Sequence, residues 1–417
     1  MLDKKYFIKE LCNYHIDSNI VYISNKYTGE WLKIPKEIFE LLINSQKEKK
    51  YIKDIYDFIL DNDDKKYFYQ VIERLDKIGV LYDKPNFKRR MNQIPKIVVS
   101  LTNKCNLRCN YCSVDSKIEN NKGLSFLEIK HMFDKIVKLS PKRIVISGGE
   151  PRLRDDFFEI LKYLKNVYEG KIQLATNATY INDSNIEQLL KYIYAFDISL
   201  DGYDEESCSK MRGDNVFKKV TESIKGIQKL GCKNISVSMV LGKNNIEDAD
   251  SFCSFCESIN VNPVLRGFFN MGRGTFNSNI YLDNVNDVKY YLPPSDCKED
   301  SSFSRANICR AGENQLFVNY DGNIYPCPLL QGQEYLICNV RDLNDTLIND
   351  ILNCDYEVLK NVDKIRTCNY KKCKECRYSI FCNNCLGIMD SMIKDEKVFE
   401  HNCRKMKAIF EKEELLV

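Results

Sequence analysis

The period of apolar and polar positions changes twice along the chain. Two short alternating runs, Ile20 to Ser24 and Trp31 to Ile34, flank Lys26-Tyr27-Thr28-Gly29-Glu30, and that arrangement predicts a β-hairpin. Pro35 suits a first helical position, and three short helical patterns follow before Gly79. In the third of them Phe68, Val71, Ile72, Leu75 and Ile78 recur at helical spacing, the stripe of a helix packed on one face. Strands followed by helices predict a winged-helix-like module over residues 1–85. The stretch Asp83 to Gln93, with Pro85 and Lys88-Arg89-Arg90, breaks the pattern, and residues 86–95 read as a linker.

From residue 96 the period shifts to continuous apolar runs alternating with amphipathic helices. The predicted strands are Ile97 to Leu101, Arg143 to Ile146, Ile172 to Ala175, Ala195 to Leu200, Ile235 to Val240 and Val264 to Arg266. Ser125-Phe126-Leu127-Glu128 reads as a capping box, and Gly170 and Gly231 stand where helices should stop. Such alternation predicts an α/β fold, a partial (β/α)6 barrel of parallel strands over residues 96–285, with the chemistry on the loops after the strand ends. Beyond Gly274 the periodicity fades and cysteines accumulate, so residues 286–417 are expected to fold around metal.

Composition narrows the function classes. Lys+Arg number 62 against 59 Asp+Glu, a net charge of +3, so no basic field favours a nucleic-acid backbone. No apolar run is long enough to cross a bilayer, and the first residues lack the apolar core of a secretion signal. The expectation is a cytoplasmic protein with no nucleic-acid or membrane partner. Against that background 19 Cys are too many for packing and, in a reducing compartment, do not form a disulfide framework. With three His (His15, His131, His401), none at ligand spacing from another, iron–sulfur chemistry is favoured over histidine-rich metal sites.

The first predicted strand runs into Cys105-Asn106-Leu107-Arg108-Cys109-Asn110-Tyr111-Cys112, a C-x3-C-x2-C. Three thiolates can hold three irons of a 4Fe-4S cube and leave the fourth open to a substrate or cofactor. The second strand ends in Ser147-Gly148-Gly149-Glu150-Pro151, the third in Thr176-Asn177-Ala178, the fourth in Ile198-Ser199-Leu200-Asp201-Gly202, with Met211-Arg212-Gly213 beyond. This series resembles the radical S-adenosylmethionine enzymes. The resemblance implies that Cys105, Cys109 and Cys112, with the aromatic Tyr111, carry the cluster whose open iron chelates S-adenosylmethionine. It further implies cofactor contacts from Gly148, Gly149, Glu150, Asn177, Ser199, Arg212 and Leu241, and a 5′-deoxyadenosyl radical that takes hydrogen from a bound substrate. Ala178 stands where relatives carry glycine. No general base can be named.

Farther on, Cys309 and Cys327 fit C-x12-G-x4-C, and Cys373, Cys376, Cys382 and Cys385 fit C-x2-C-x5-C-x2-C, followed by Cys403. This series resembles the SPASM extension of radical S-adenosylmethionine enzymes, although the last gap of the quartet is one residue shorter than usual. The resemblance implies two auxiliary 4Fe-4S clusters, one on Cys373, Cys376, Cys382 and Cys403, the other on Cys309, Cys327 and Cys385. Cys297 or Cys368 would complete the second, or an iron stays open. Cys253 and Cys256 form a C-x2-C inside a predicted helix and read as packing.

The amino-terminal module resembles the PqqD-like recognition elements that bind leader peptides by strand addition, here beside Trp31 to Ile34 and against Tyr67 to Ile78. Together the resemblances imply a maturase of ribosomally made peptides, of sactipeptide or ranthipeptide type, that installs an oxidative cross-link, most plausibly a cysteine thioether. The implied partners are a precursor peptide with its leader and a reducing protein such as flavodoxin or ferredoxin. Two alternatives stand beside it: a side-chain oxidase of the anaerobic sulfatase-maturating type, and an iron–sulfur redox sensor that binds DNA through its winged-helix-like module.

Overall fold

A computed structural model describes residues 2, 5–85, 91–117, 123–290, 306, 309–382 and 385–412. Cys297 lies outside them. The amino-terminal module contains β1 (Tyr6–Phe7), β2 (Cys12–Asp17), β3 (Ile20–Asn25), β4 (Trp31–Pro35), α1 (Lys36–Lys47), α2 (Ile52–Phe58), α3 (Asn62–Lys77) and β5 (Leu81–Tyr82). Strands β2, β3 and β4 form an antiparallel sheet in that order, which makes β4 an edge, while β1 pairs with β5. The expected hairpin is therefore β3–β4, and β2 adds a strand that the alternation did not reveal. Pro35 closes β4 and caps α1 instead of opening the helix. The stripe of α3 faces a small core in which Phe68, Ile72 and Leu75 are almost fully buried against Val21, Ile23 and Leu42.

The barrel follows as β6 (Lys96–Ser100), α4 (Phe126–Ile136), β7 (Arg143–Ser147), α5 (Phe157–Val167), β8 (Lys171–Thr176), α6 (Ile186–Leu190), β9 (Ala195–Ser199), α7 (Glu205–Arg212), α8 (Val216–Lys229), β10 (Ile235–Leu241), α9 (Ala249–Ser258) and β11 (Asn262–Gly267). All six strands run parallel, each beside its sequence neighbour. The strands are legible as apolar runs because a parallel sheet covered by helices buries both faces. Ser125 and Glu128 form the expected reciprocal cap of α4. Cys256 is fully buried in the barrel core, in keeping with a packing role for that residue.

After α10 (Ser278–Tyr281) come β12 (Gln315–Val318), β13 (Asn323–Tyr325), β14 (Cys338–Asn339), α11 (Asp345–Leu352), α12 (Glu357–Lys364), α13 (Leu386–Ile393) and α14 (Glu396–Lys412). Strand β12 pairs parallel with β6, so the carboxy-terminal region extends the barrel sheet into nine strands, ordered β11-β10-β9-β8-β7-β6-β12-β13-β14. Among the described residues no helix is long and apolar enough to cross a membrane.

Candidate active site

The carboxyl ends of β6 to β11 meet around the loop that carries Cys105, Cys109 and Cys112. Their thiols are electrostatic neighbours, and burial pushes Cys105 up to about 11 and raises Cys109, against the pull of nearby Arg212. Backbone N–H groups already point at sulfur: Leu107 donates to Cys105 Sγ at 3.4 Å and Ser116 to Cys112 Sγ at 3.4 Å. Asn177 Nδ2 lies 3.8 Å from Cys105 Sγ and donates to Asn106 Oδ1 at 3.0 Å. No group of three His, Cys, Asp or Glu among the described residues is placed to hold a single metal ion. In a 4Fe-4S cube each thiolate binds its own iron, so the sulfurs stand apart. Three thiols with amide donors aimed at sulfur fit such a cube.

Gly148 and Gly149 work against the cysteine loop itself. A Cβ on Gly148 would come within 2.4 Å of Thr102 O, and one on Gly149 within 2.2 Å of Lys104 O. This close approach lets Gly149 N and Glu150 N donate to Thr102 O and Lys104 O at 2.7 Å each. Glu150 is wholly buried and accepts from Thr176 Oγ1, Asn177 N and Arg152 N at 2.8–3.2 Å. Burial raises its pKa and those donors oppose the shift. Ala178 holds φ +57, the left-handed turn for which glycine is the easy choice.

Arg212 lies on α7 with Tyr111 and Asp201 around it. Its Nη2 donates to Tyr111 Oη at 2.6 Å, its Nε to Asp201 Oδ2, and Tyr111 Oη also donates to that carboxylate. Asp201 Oδ1 accepts from Val240 N at 2.6 Å. Burial works against the Arg212 charge, yet Asp201 beside it holds its pKa well above the usual value; burial raises Tyr111 well above its own. Ser199 closes β9 half-buried, and Leu241 closes β10 fully buried in the barrel core. The strand-end segment Ile198 to Gly202 does not by itself assign Asp201 a role; its acidic side chain directly after an apolar run is the signal the sequence offers. Arg273, between Gly272 and Gly274 and hydrogen-bonded to the cysteine loop, was missed as well.

The carboxy-terminal cysteines fall into two groups. Cys373, Cys376, Cys382 and Cys403 line one cavity with Tyr378 and Phe399. Cys309 and Cys385 are the charge neighbours of Cys327, whose thiol burial pushes up to about 12. Cys368 hydrogen-bonds Asn13 Oδ1 and has Cys373 as a charge neighbour. A second cleft opens between β4 and α3 and is lined by Leu32, Lys33, Ile34, Tyr67, Val71 and Arg74 among others.

Comparison with known proteins matches residues 99–256 to the radical SAM superfamily and residues 309–377 to SPASM, an iron-sulfur cluster-binding domain. The chain thus carries a radical SAM domain and a SPASM domain; it is an enzyme, and its cofactors are 4Fe-4S clusters and S-adenosylmethionine. The reading as a non-catalytic DNA-binding sensor falls with that result. A probable GTP 3′,8-cyclase of Sulfurisphaera tokodaii is 24% identical over 300 residues, 66% of this chain and 90% of that protein. The mycofactocin maturase MftC of Mycobacterium tuberculosis is 23% identical over 274 residues, 61% of this chain and 69% of that protein. In fold the chain is similar to Streptococcus suis SuiB bound to its precursor peptide SuiA (TM-score 0.53, 14% identity, 94% of this chain and 97% of that one). It is also similar to SuiB bound to S-adenosylmethionine (TM-score 0.52, 16% identity, 94% and 97%).

Proposed function

We propose that the chain is a peptide maturase that docks the leader of a ribosomally made precursor on its amino-terminal module and oxidises the core of that peptide in the barrel. The observation that carries this reading is the cleft between the edge strand β4 and α3. An edge strand offers backbone groups to an added strand, and the wall of α3 supplies side-chain pockets. The likeness to SuiB, bound in its structure to a precursor peptide, extends over 94% of this chain and so takes in the module. In this reading β4 and α3 form the PqqD-like element.

Bound to Cys105, Cys109 and Cys112, the cluster would supply the electron that cleaves S-adenosylmethionine to a hydrogen-abstracting carbon radical. The chain's own residues position. Gly148 and Gly149 let the Glu150 turn seat against the cysteine loop, Asn177 and Leu107 N point hydrogen at Cys105 sulfur, and Tyr111, Asp201 and Arg212 tie the loop to β9 and β10. Cys373, Cys376, Cys382 and Cys403 would hold one auxiliary cluster, and Cys309, Cys327 and Cys385, with Cys297 as the fourth candidate, another; such clusters would supply an acceptor for the second electron. That route favours a net loss of two hydrogens, and a thioether from a substrate cysteine is the product proposed; flavodoxin or ferredoxin would supply the first electron. Anaerobic incubation of reconstituted enzyme, S-adenosylmethionine, reductant and a cysteine-containing precursor encoded beside the gene tests it by mass spectrometry. Loss of two hydrogens, absent with Cys112→Ala, is expected. An unchanged peptide despite abundant 5′-deoxyadenosine would move the sulfatase-maturating type of reaction ahead, and that type needs no leader, so it would also survive deletion of residues 1–85.

A further inference from the structure

The loop that carries the three cysteines turns several of its backbone carbonyls toward one distant segment, the helical turn Gly272–Asn277 that follows β11. Arg273 N donates to Cys112 O at 2.8 Å and Arg273 Nη1 to Cys109 O at 3.1 Å. Arg273 Nη2 donates to Ser116 O, and Nε to Asp115 Oδ1 at 3.0 Å. Asn277 Nδ2 donates to Asn110 O at 2.9 Å. Gly272, at φ +54, sits so close that a Cβ would lie 2.4 Å from Ser113 O and 2.6 Å from Cys112 O. The Arg273 side chain is 12% exposed, so these are interior hydrogen bonds made by a fixed charge.

The geometry points to Gly272–Asn277 as a clasp for the cysteine loop, with Arg273 as the positioning residue. A planar guanidinium with several fixed donors meets two carbonyls and a carboxylate at once, which an ammonium on a flexible stem cannot do with the same geometry. By holding the Asp115 carboxylate and the Ser116 carbonyl, the clasp brackets Ser116 N, the amide that donates to Cys112 Sγ at 3.4 Å. Hydrogen bonds to cluster sulfurs stabilise the more negative, reduced state and so raise the reduction potential. The clasp therefore holds the potential up as well as the loop in place. This inference rests on the proposal that Cys105, Cys109 and Cys112 hold the cluster.

The test compares Arg273→Met and Arg273→Lys with the unaltered chain. In the iron-free protein, hydrogen exchange of the amides of residues 105–117 should accelerate by about tenfold or more in Arg273→Met and less in Arg273→Lys, with the strands β6 to β10 unchanged. In reconstituted protein, the cluster potential should fall in the same order and the electron paramagnetic resonance change on adding S-adenosylmethionine should weaken. If Arg273→Met does not fold, Asn277→Ala, which removes the bonds to Asn110 O and Arg273 O and leaves the guanidinium in place, should accelerate exchange over the same amides to a smaller extent. Exchange that is unchanged in the loop, exchange that rises equally throughout the barrel, or an unshifted potential would each overturn the clasp. Because the exchange is read without iron, failure of the clasp is distinct from failure of the ligand assignment, which a full iron complement in Cys112→Ala would reveal.

Discussion

Asp201 and Arg212 form an ion pair with side-chain exposures of 1% and 7%, whereas Lys210 and Glu206, two residues away on the same helix, pair at 67% and 82%. The two pairs should respond oppositely to mutation. Removing the buried carboxylate leaves an uncompensated guanidinium and frees Tyr111, so Asp201→Asn should destabilise the iron-free protein by about 3–5 kcal/mol in denaturant melts. Glu206→Gln should change stability by no more than about 0.5 kcal/mol. Comparable effects from the two would mean that Asp201 does not tie the cysteine loop down. The buried thiols give a pH dependence with a definite sign. Burial pushes Cys105 up from 9.0 to about 11 and Cys373 to about 12, so the folded iron-free chain keeps protons that the unfolded chain releases above pH 9.0. Its stability should therefore be level below that pH and decline as pH rises through it toward 11 to 12. Iron loading needs thiolates and expels those protons, so cluster uptake should increase with pH over the same window. Melts and iron titrations from pH 7.5 to 10 check both slopes; a stability that rises with alkali would contradict the burial of these thiols.

At the scale of elements, β7 and the cysteine loop are held in register by Gly149 N and Glu150 N on the carbonyls of Thr102 and Lys104. Gly149→Ala puts a methyl 2.2 Å from one of those carbonyls, and the neighbour is backbone, which cannot rotate away. A loss of about 1–3 kcal/mol is expected, together with poor iron incorporation, measured by melting and iron analysis. Normal iron content at wild-type stability would mean that the two segments do not touch. The strands, the α4 cap and the positions of the cysteine and glycine motifs were legible in the sequence because each is written in contiguous residues: apolar runs, a four-residue box, a fixed spacing. Arg273 lies more than 150 residues from the carbonyls it holds, and no local pattern records such a contact. Strand β2 was missed for a related reason: Cys12, Asn13, Tyr14 and His15 alternate weakly, and pairing with β3 decides their state. The proposed leader cleft lay between these cases, since Trp31 to Ile34 and Tyr67 to Ile78 were each visible by period, while their meeting at one cleft is a property of the fold.

In the whole molecule the three sequence regions are not beads on a string. Strand β12 joins the barrel sheet beside β6, so the strand that feeds the cysteine loop is itself hydrogen-bonded to the SPASM region. On its other side that region carries the amino-terminal sheet. Tyr22 and Trp31 pack with Phe381, Tyr378, Phe410 and the edges of Cys376 and Cys382 in one apolar cluster, and the rings of Trp31 and Phe381 meet edge-on at 4.7 Å. Trp31 thus begins the strand β4 that borders the proposed leader cleft and also abuts a residue neighbouring the cavity of Cys373, Cys376, Cys382 and Cys403. It is the single tryptophan of the chain. Iron–sulfur clusters absorb where indole emits, so a cluster in that cavity should quench Trp31 strongly. Emission should fall several-fold on reconstitution, recover on chelation, and keep most of its loss in Cys112→Ala, whose auxiliary cysteines are intact. Emission that ignores iron would mean that the cavity does not hold a cluster or that the module does not dock there. Cys382→Ala separates these outcomes: if it lowers iron content while Trp31 stays bright in both proteins, the cluster is present and the docking is what fails.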